Sequence, residues 1–328
     1  MKLNEEQKEQ IKWLNKCTKG NWDINSKTGL VHVRGDFDCS DQKLKNFKGV
    51  RFGLVTGTFN CDDNSLTTLE GAPQKVKKYF SCKRNSLTSL EGAPQEVGGY
   101  FSCSENSLTT LEGAPREVGG DFNCRDNSLT SLKGAPREVG RDFNCKNNSL
   151  TTLEGAPQKV GDDFYCSSNS LTSLKGAPQK VRGSFYCKNN SLTTLEGAPQ
   201  EVSSFNCRDN YLTSLKGAPQ KVRGDFYCEN NSLTTLEGAP QGVGGDFYYE
   251  NNSLTSLEGA PKEVERNLYC ENNPVPEYVS NTIWSIMKDK KVPYLIALGI
   301  FKKEIDLLFK NITEETLKGA SLLARNLS

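Results

Sequence analysis

Apolar residues recur along most of this chain in a fixed order and at a fixed distance. From Val33 to Asn273 the order is Phe-x-Cys, Leu-Thr-x-Leu, Gly-Ala-Pro, Val, and then Phe-x-Cys again. The copy from Leu150 to Cys166 shows it most plainly, with Leu171 opening the next. The Gly-Ala-Pro triplet occurs ten times, and its prolines, from Pro73 to Pro261, lie 21 residues apart except for one step of 20 between Pro199 and Pro219. A period of this length marks a solenoid, in which each repeat contacts only its neighbours.

Each position in the repeat implies a role. Phe-x-Cys alternates apolar with variable residues, which is the period of a half-buried strand. An asparagine follows three residues after the cysteine, from Asn64 to Asn273. At a bend its amide can satisfy backbone groups of the adjacent coil. The two leucines point inward, and the threonine between them can tie its hydroxyl to nearby backbone. Gly-Ala-Pro makes the return turn, with Gly for permissive dihedrals and Pro to fix φ. Each coil is therefore expected to bury Phe, Cys, Leu, Leu, Ala, Pro and Val.

The cysteines belong to the same pattern. Of 12 in the chain, all but Cys17 fall at one point of the repeat, and Tyr249 takes the one missing slot. A disulfide framework joins different points of a fold, so a single repeated column implies buried thiols acting as small hydrophobes. A run of thiolate metal sites lacks the Cys-x-x-Cys pairing that zinc prefers. So many free thiols fit a reducing cytoplasm. The N-terminal residues contain no apolar stretch of the kind found in secretory signals. The most apolar run, Val292 to Phe301, is about half a membrane span and contains Pro293 and Gly299.

The ends differ from the middle. Residues 1–32 read as an N-terminal cap. Asn4 and Gln7 resemble a capping box, and Leu3, Ile11 and Leu14 mark a helical face beside Trp13. The helix should end near Gly20, and Lys27-Thr28-Gly29 should turn between short strands. Residues 33–273 form the solenoid. Its first copies are irregular, with Gln42 in place of Asn, Phe47 in place of Leu, and Gly49-Val50-Arg51 in place of Gly-Ala-Pro. Residues 274–328 read as a C-terminal helical domain, either a cap for the last coil or a module for an effector function or oligomerisation. Val279, Ile283, Ile286 and Met287 mark one of its faces, and Tyr294, Leu298, Phe301, Ile305 and Leu308 another.

The repeat resembles the leucine-rich repeat, whose frame is L-x-x-L-x-L-x-x-N/C-x-L. The short copy from Val202 through Phe205, Cys207 and Asn210 to Leu212 fits it directly. The other copies carry one more residue between Val and Phe, to be absorbed in a bulge or a wider turn. The likeness is to the short repeats of bacteria and their phages, and it covers residues 33–273. It implies an α/β-type repeat solenoid, mainly β, with a parallel sheet of about 12 strands, roughly 55 Å long at ~4.8 Å per strand. Its outward, concave face would be the binding surface. Some bacterial relatives carry a C-terminal ubiquitin-ligase domain with a catalytic cysteine. Here the last cysteine is Cys270, inside the repeat column, so that reading falls.

Charge and candidate chemistry then narrow the function. Net charge is +1, from 41 basic and 40 acidic residues, so no global field draws the chain to nucleic acid or an acidic membrane. The column before the cysteine is small and polar at first, then becomes Tyr165, Tyr186, Tyr227, Tyr248 and Tyr269. Tyrosine is favoured at interface hot spots, although stacked tyrosines also stabilise a strand face. The column after the cysteine includes Arg125, Lys146, Lys188 and Arg208, then Glu229, Glu250 and Glu271. A third column, three before the cysteine, is rich in Asp, from Asp36 to Asp246, and rows of Asp could hold a cation. The single histidine, His32, lies in the cap, and no nucleophile elbow or phosphate loop is present. The expectation is a non-enzymatic protein-interaction protein without cofactor, membrane or small-molecule substrate, and the resemblance to bacterial and phage repeats implies a host protein as its target. Its contacts would be Tyr165, Tyr186, Tyr227, Tyr248, Tyr269, Lys188, Arg208, Glu229, Glu250 and Glu271. The alternatives are a single-stranded nucleic-acid binder, with Tyr stacking bases and the basic stripe tracking phosphates, and a structural or virion spacer.

Overall fold

The computed structural model describes residues 3–18 and 20–275, with Thr282 and Ser285 beyond them. The helices expected over 277–328 lie otherwise outside the described residues. Helix α1 (Glu5–Thr18) opens on a reciprocal capping box: Gln7 N donates to Asn4 Oδ1 at 2.8 Å and Asn4 N to Gln7 Oε1 at 3.0 Å. Its buried face is Trp13, Leu14 and Cys17, whereas Leu3 is exposed, outside the face expected for it. Leu3 precedes the helix, which begins at Glu5. Trp13 meets Phe37 and Phe52 edge-on, with ring centroids 5.4 and 6.3 Å apart, and so covers the first coil. Strands β1 (Trp22–Ile24) and β2 (Val31–Val33) form an antiparallel hairpin around the expected turn, where Gly29 N bonds Asn25 O and Gly29 has φ of +71°. Strand β2 then pairs in parallel with the strand Phe52–Val55, so the hairpin also opens the solenoid.

The repeat becomes a coil with two strand columns. The Phe-x segments, from Phe37–Asp38 to Leu268–Tyr269, build one unbroken 12-stranded parallel sheet, as the repeat count implies. The residue pair ending in the repeat's Val, such as Glu96–Val97, builds a second parallel sheet, which the periodicity did not reveal. The extra residue between Val and Phe sits in the wider bend joining the two columns. In the usual coil the amide after Val bonds the Val carbonyl of the preceding coil, as Gly98 N does to Val76 O, and the next amide bonds two residues further on, as Gly99 N does to Lys78 O. The 20-residue copy lacks one residue here. Ser203 N therefore takes Gly183 O, at 2.8 Å, and the bond to Val181 O is not made. The second sheet splits at this coil into a nine-stranded and a four-stranded part.

The core follows the letters of the repeat. Phe, Cys and both Leu are essentially fully buried in coil after coil, and all ten repeat prolines are buried. Rings stack from Phe37 to Phe226 with centroids 4.7–5.6 Å apart. The stack tilts at Phe247, where the Tyr249 ring fills the cysteine slot 5.1 Å away. The column cysteines are buried, and from Cys39 to Cys228 burial pushes the thiol ionisation well above its ordinary range. Sγ instead donates to the next coil, as in Cys145 Sγ to Tyr165 O at 3.2 Å.

The asparagines form the expected ladder. Asn169 Nδ2 donates to Cys145 O, Cys166 O and Ser167 O at 3.1–3.3 Å, and its Oδ1 accepts Leu150 N at 3.0 Å. The second threonine closes a local turn, as in Glu154 N to Thr152 Oγ1 at 3.1 Å. Gly113 has φ of +89°, and a Cβ there would meet Leu90 O at 2.4 Å, so the return turn needs glycine. A further feature was not anticipated. The residue before each ladder asparagine, from Asp63 to Asn272, is left-handed with φ between 52° and 57° although none is glycine. Eight of these eleven residues are Asn or Asp, the types that tolerate this conformation best.

Candidate functional site

Alternation along each strand sends Phe and Cys into the core and leaves the residues between and beside them on the outer face of the 12-stranded sheet. Strand pairing places Tyr165 beside Tyr186, Tyr186 beside Asn206, Asn206 beside Tyr227, and Tyr227, Tyr248 and Tyr269 in succession. The ladder continues past the strands, with Cys207 N bonded to Tyr227 O at 2.9 Å and Asp209 N to Glu229 O at 3.1 Å. Lys188, Arg208, Glu229, Glu250 and Glu271 therefore stand side by side on successive coils. All ten expected contact residues share one face.

The tyrosines form two stacks. Tyr165 and Tyr186 are parallel at 4.8 Å; Tyr227, Tyr248 and Tyr269 follow at 4.6 and 4.4 Å. Asn206, itself buried, separates the two groups. Neighbours thus cover much of each ring face, and the edges and hydroxyls look outward. Some hydroxyls are also engaged. Tyr165 Oη donates to Asp163 Oδ2 at 2.7 Å, Tyr227 Oη to Asp225 Oδ2 at 3.0 Å, and Tyr248 Oη to Asp246 Oδ2 at 3.3 Å. Burial first, and then these carboxylates, raise the phenol ionisation of Tyr165 and Tyr227, and push that of Tyr248 up to about 12.

The same aspartates brace the sheet. Asp163 Oδ1 accepts Ser184 N at 2.6 Å, Asp225 Oδ1 accepts Asp246 N at 2.9 Å, and Asp246 Oδ1 accepts Asn267 N at 2.8 Å. Each carboxylate thus joins a backbone amide of the next coil to a tyrosine of its own. Sequence reasoning treated this column only as a possible cation site. The signal was the co-occurrence of Asp and Tyr two residues apart, in Asp163/Tyr165, Asp225/Tyr227 and Asp246/Tyr248. Among the described residues no three metal-ligating side chains converge.

Charges change along the face. Arg125 is paired with Glu105 at 2.9 Å and Asp126 at 2.6 Å, and Lys83 with Asp62 at 3.5 Å. Lys146 lies 4.6 Å over the Tyr165 ring. Arg208 reaches Asp209 at 3.1 Å and Glu229 at 3.6 Å. Burial raises Glu229 and Glu250 above the usual carboxyl range, and Glu271 beside Glu250 adds to this. Both have an Oε2 that is buried and accepts no hydrogen bond.

None of the ten expected residues lines the troughs on the second sheet. One, of about 640 Å³, is open, floored by Gly98, Gly119 and Gly140 and crossed by the ion pairs Lys75–Glu96 and Lys159–Glu138. No helix among the described residues is long and apolar enough to cross a membrane.

Comparison with protein-family models and with curated proteins finds no match. Among solved structures, the chain is similar to YopM from Yersinia enterocolitica WA-314, at 16% identity over 83% of this chain and 70% of that one, with a TM-score of 0.47. It is similar also to YopM from Yersinia pestis, described as a leucine-rich effector protein, at 19% identity over 82% of this chain and 83% of that one, with a TM-score of 0.48. The chain's own coils, with their inward leucines, asparagine ladder and 12-stranded parallel face, make it a solenoid of the leucine-rich-repeat type.

Proposed function

We propose that the chain is a non-enzymatic protein-interaction protein that binds its partner on the outer face of the 12-stranded sheet, chiefly in the C-terminal half. One observation carries this reading. The inward columns repeat almost unchanged, whereas the outward columns turn from small polar residues to stacked tyrosines and from basic to acidic. Packing explains the constancy of the first set; the drift of the second serves something outside the coil. Large, low-entropy tyrosine edges bordered by charge fit a protein surface. Buried free thiols from Cys17 to Cys228 suit a reducing compartment such as the cytoplasm.

The test compares affinity capture from the native host by the parent protein and by a Tyr186→Ala, Tyr227→Ala, Tyr248→Ala variant, then repeats it with the purified partner. The expected result is at least tenfold weaker binding by a variant that keeps the parent's circular-dichroism spectrum and cooperative unfolding. Tyr211→Ala serves as the control, because Tyr211 is 62% exposed but belongs to none of the outward columns. Equal capture by parent and triple variant overturns the assignment of this face.

A further inference from the structure

The proposed face leaves charges of opposite sign unneutralised at two places. In the middle coils, Lys146 and Lys188 have no ion-pair partner among the described residues, unlike Arg125 one coil before Lys146. Burial, then Lys188 and Arg125, lowers the Lys146 ammonium from the ordinary lysine range. In the last three coils the sign reverses. The outward positions there are Asp225, Tyr227 and Glu229, then Asp246, Tyr248 and Glu250, then Asn267, Tyr269 and Glu271, with no lysine or arginine. Arg208 approaches the first of these coils only, and the buried Oε2 atoms of Glu229 and Glu250 accept nothing. Like charges on neighbouring strands oppose each other, and part-buried ones are poorly relieved by water. External charge of the right sign would relieve both places together.

We propose that the occupant of this face is a charge-polarised protein segment, which lays acidic side chains over Lys146 and Lys188 and lysine or arginine side chains over Glu229, Glu250 and Glu271. This rests on the protein-binding reading above and adds the partner's chemistry and alignment. Between the middle of the basic group and the middle of the acidic one lie four coils, or about 19 Å at ~4.8 Å per strand. Extended chain covers that distance in about six residues. The tyrosine edges between the charged columns supply the apolar contact, and the order of the charges sets the register.

Three labelled 10-residue peptides test the proposal by fluorescence anisotropy at low and high salt: four Asp and four Lys separated by two serines, which sets the charge centres about six residues apart, and the all-Asp and all-Lys counterparts. The two-sign peptide should bind at least tenfold more tightly than either single-sign peptide, with an advantage that shrinks as salt rises. Glu229→Gln with Glu250→Gln should remove the advantage, as should Lys146→Gln with Lys188→Gln. No advantage, or one that survives both pairs of changes, overturns the proposal. So does a single-stranded DNA oligonucleotide that displaces the two-sign peptide at equal concentration. The purified partner separates the two readings. Binding lost with the tyrosine variant but kept by both charge variants overturns polarity alone; binding kept by every variant overturns the face as well.

Discussion

The two sheets of the solenoid respond differently to the same lost residue. The 12-stranded sheet passes through the 20-residue coil without a break, whereas the second sheet divides there. Backbone pairing per coil is equally short in both, two residues in most strands. The difference lies in what accompanies the pairing. The first sheet is flanked by the phenylalanine stack, the cysteine thiols and the asparagine ladder, each linking a coil to its neighbour. The second has chiefly its valine column beneath it and ion pairs at its surface, such as Lys159–Glu138 with both side chains about half exposed. Surface pairs of that kind contribute little. Register in this solenoid is therefore held by side-chain ladders, and the strands follow.

The largest break in that comparison should come from the ladder itself. Asn169→Ala removes three donated bonds and one accepted bond, leaving Leu150 N and its partner carbonyls without them. An unsatisfied buried polar group costs about 1–3 kcal/mol, so a total loss of about 3 kcal/mol or more is expected in urea unfolding. The corresponding change in the second sheet, Glu138→Ala, should cost well under about 1 kcal/mol. Comparable losses at the two positions would refute the primacy of the ladder.

The ladder was also the part of the molecule most legible in the sequence. Phe, Cys, Leu and Asn recur because each fits a site made by its counterpart in the next coil, and the constraint shows as repetition. The second sheet left no such sign. A single buried Val between a charged residue and a bend, as in Glu117-Val118-Gly119, is compatible with turn or strand, and only the coil-to-coil hydrogen bonds decide. The ten expected contact residues were legible as a face because strand alternation alone places them. The pairing of Tyr165 with Asp163 was not, since it joins two columns that were considered separately. Nor was the burial of the Glu229 side chain, which is only 13% exposed beside Arg208.

A repair sharpens the same comparison with a smaller effect. Inserting one glycine between Ser203 and Ser204 restores the 21-residue spacing. The amide after Val202 is then free to reach Val181 O, as its equivalents do in other coils, while the next one takes Gly183 O. One regained backbone bond corresponds to about 1 kcal/mol. The expected outcome is a higher urea midpoint and a second sheet continuous through Lys180–Val181 and Glu201–Val202, seen as slower amide exchange there. If the insertion lowers stability and leaves exchange unchanged, the missing residue is not what divides the sheet.

The smallest effect separates holding the fold from serving the face. Glu229 and Glu250 are raised above the ordinary glutamate range, by burial first. The folded chain therefore binds their protons more tightly than the unfolded chain does. That contribution to stability is fully present below about pH 4, under the unfolded value, and is lost as pH rises through the raised folded values. Above those raised values both carboxylates are ionised at a cost to the fold. Glu229→Gln with Glu250→Gln should then stabilise the protein at pH 7 by about 0.5–1 kcal/mol, less in high salt, and by nothing measurable at pH 4. The Asn ladder runs in the other direction: its loss should destabilise equally at both pH values, because no proton is involved. A double variant that is less stable at pH 7 would make these glutamates part of the scaffold. A more stable one leaves them as residues retained against the interest of the fold, which is the signature expected of a surface kept for a partner.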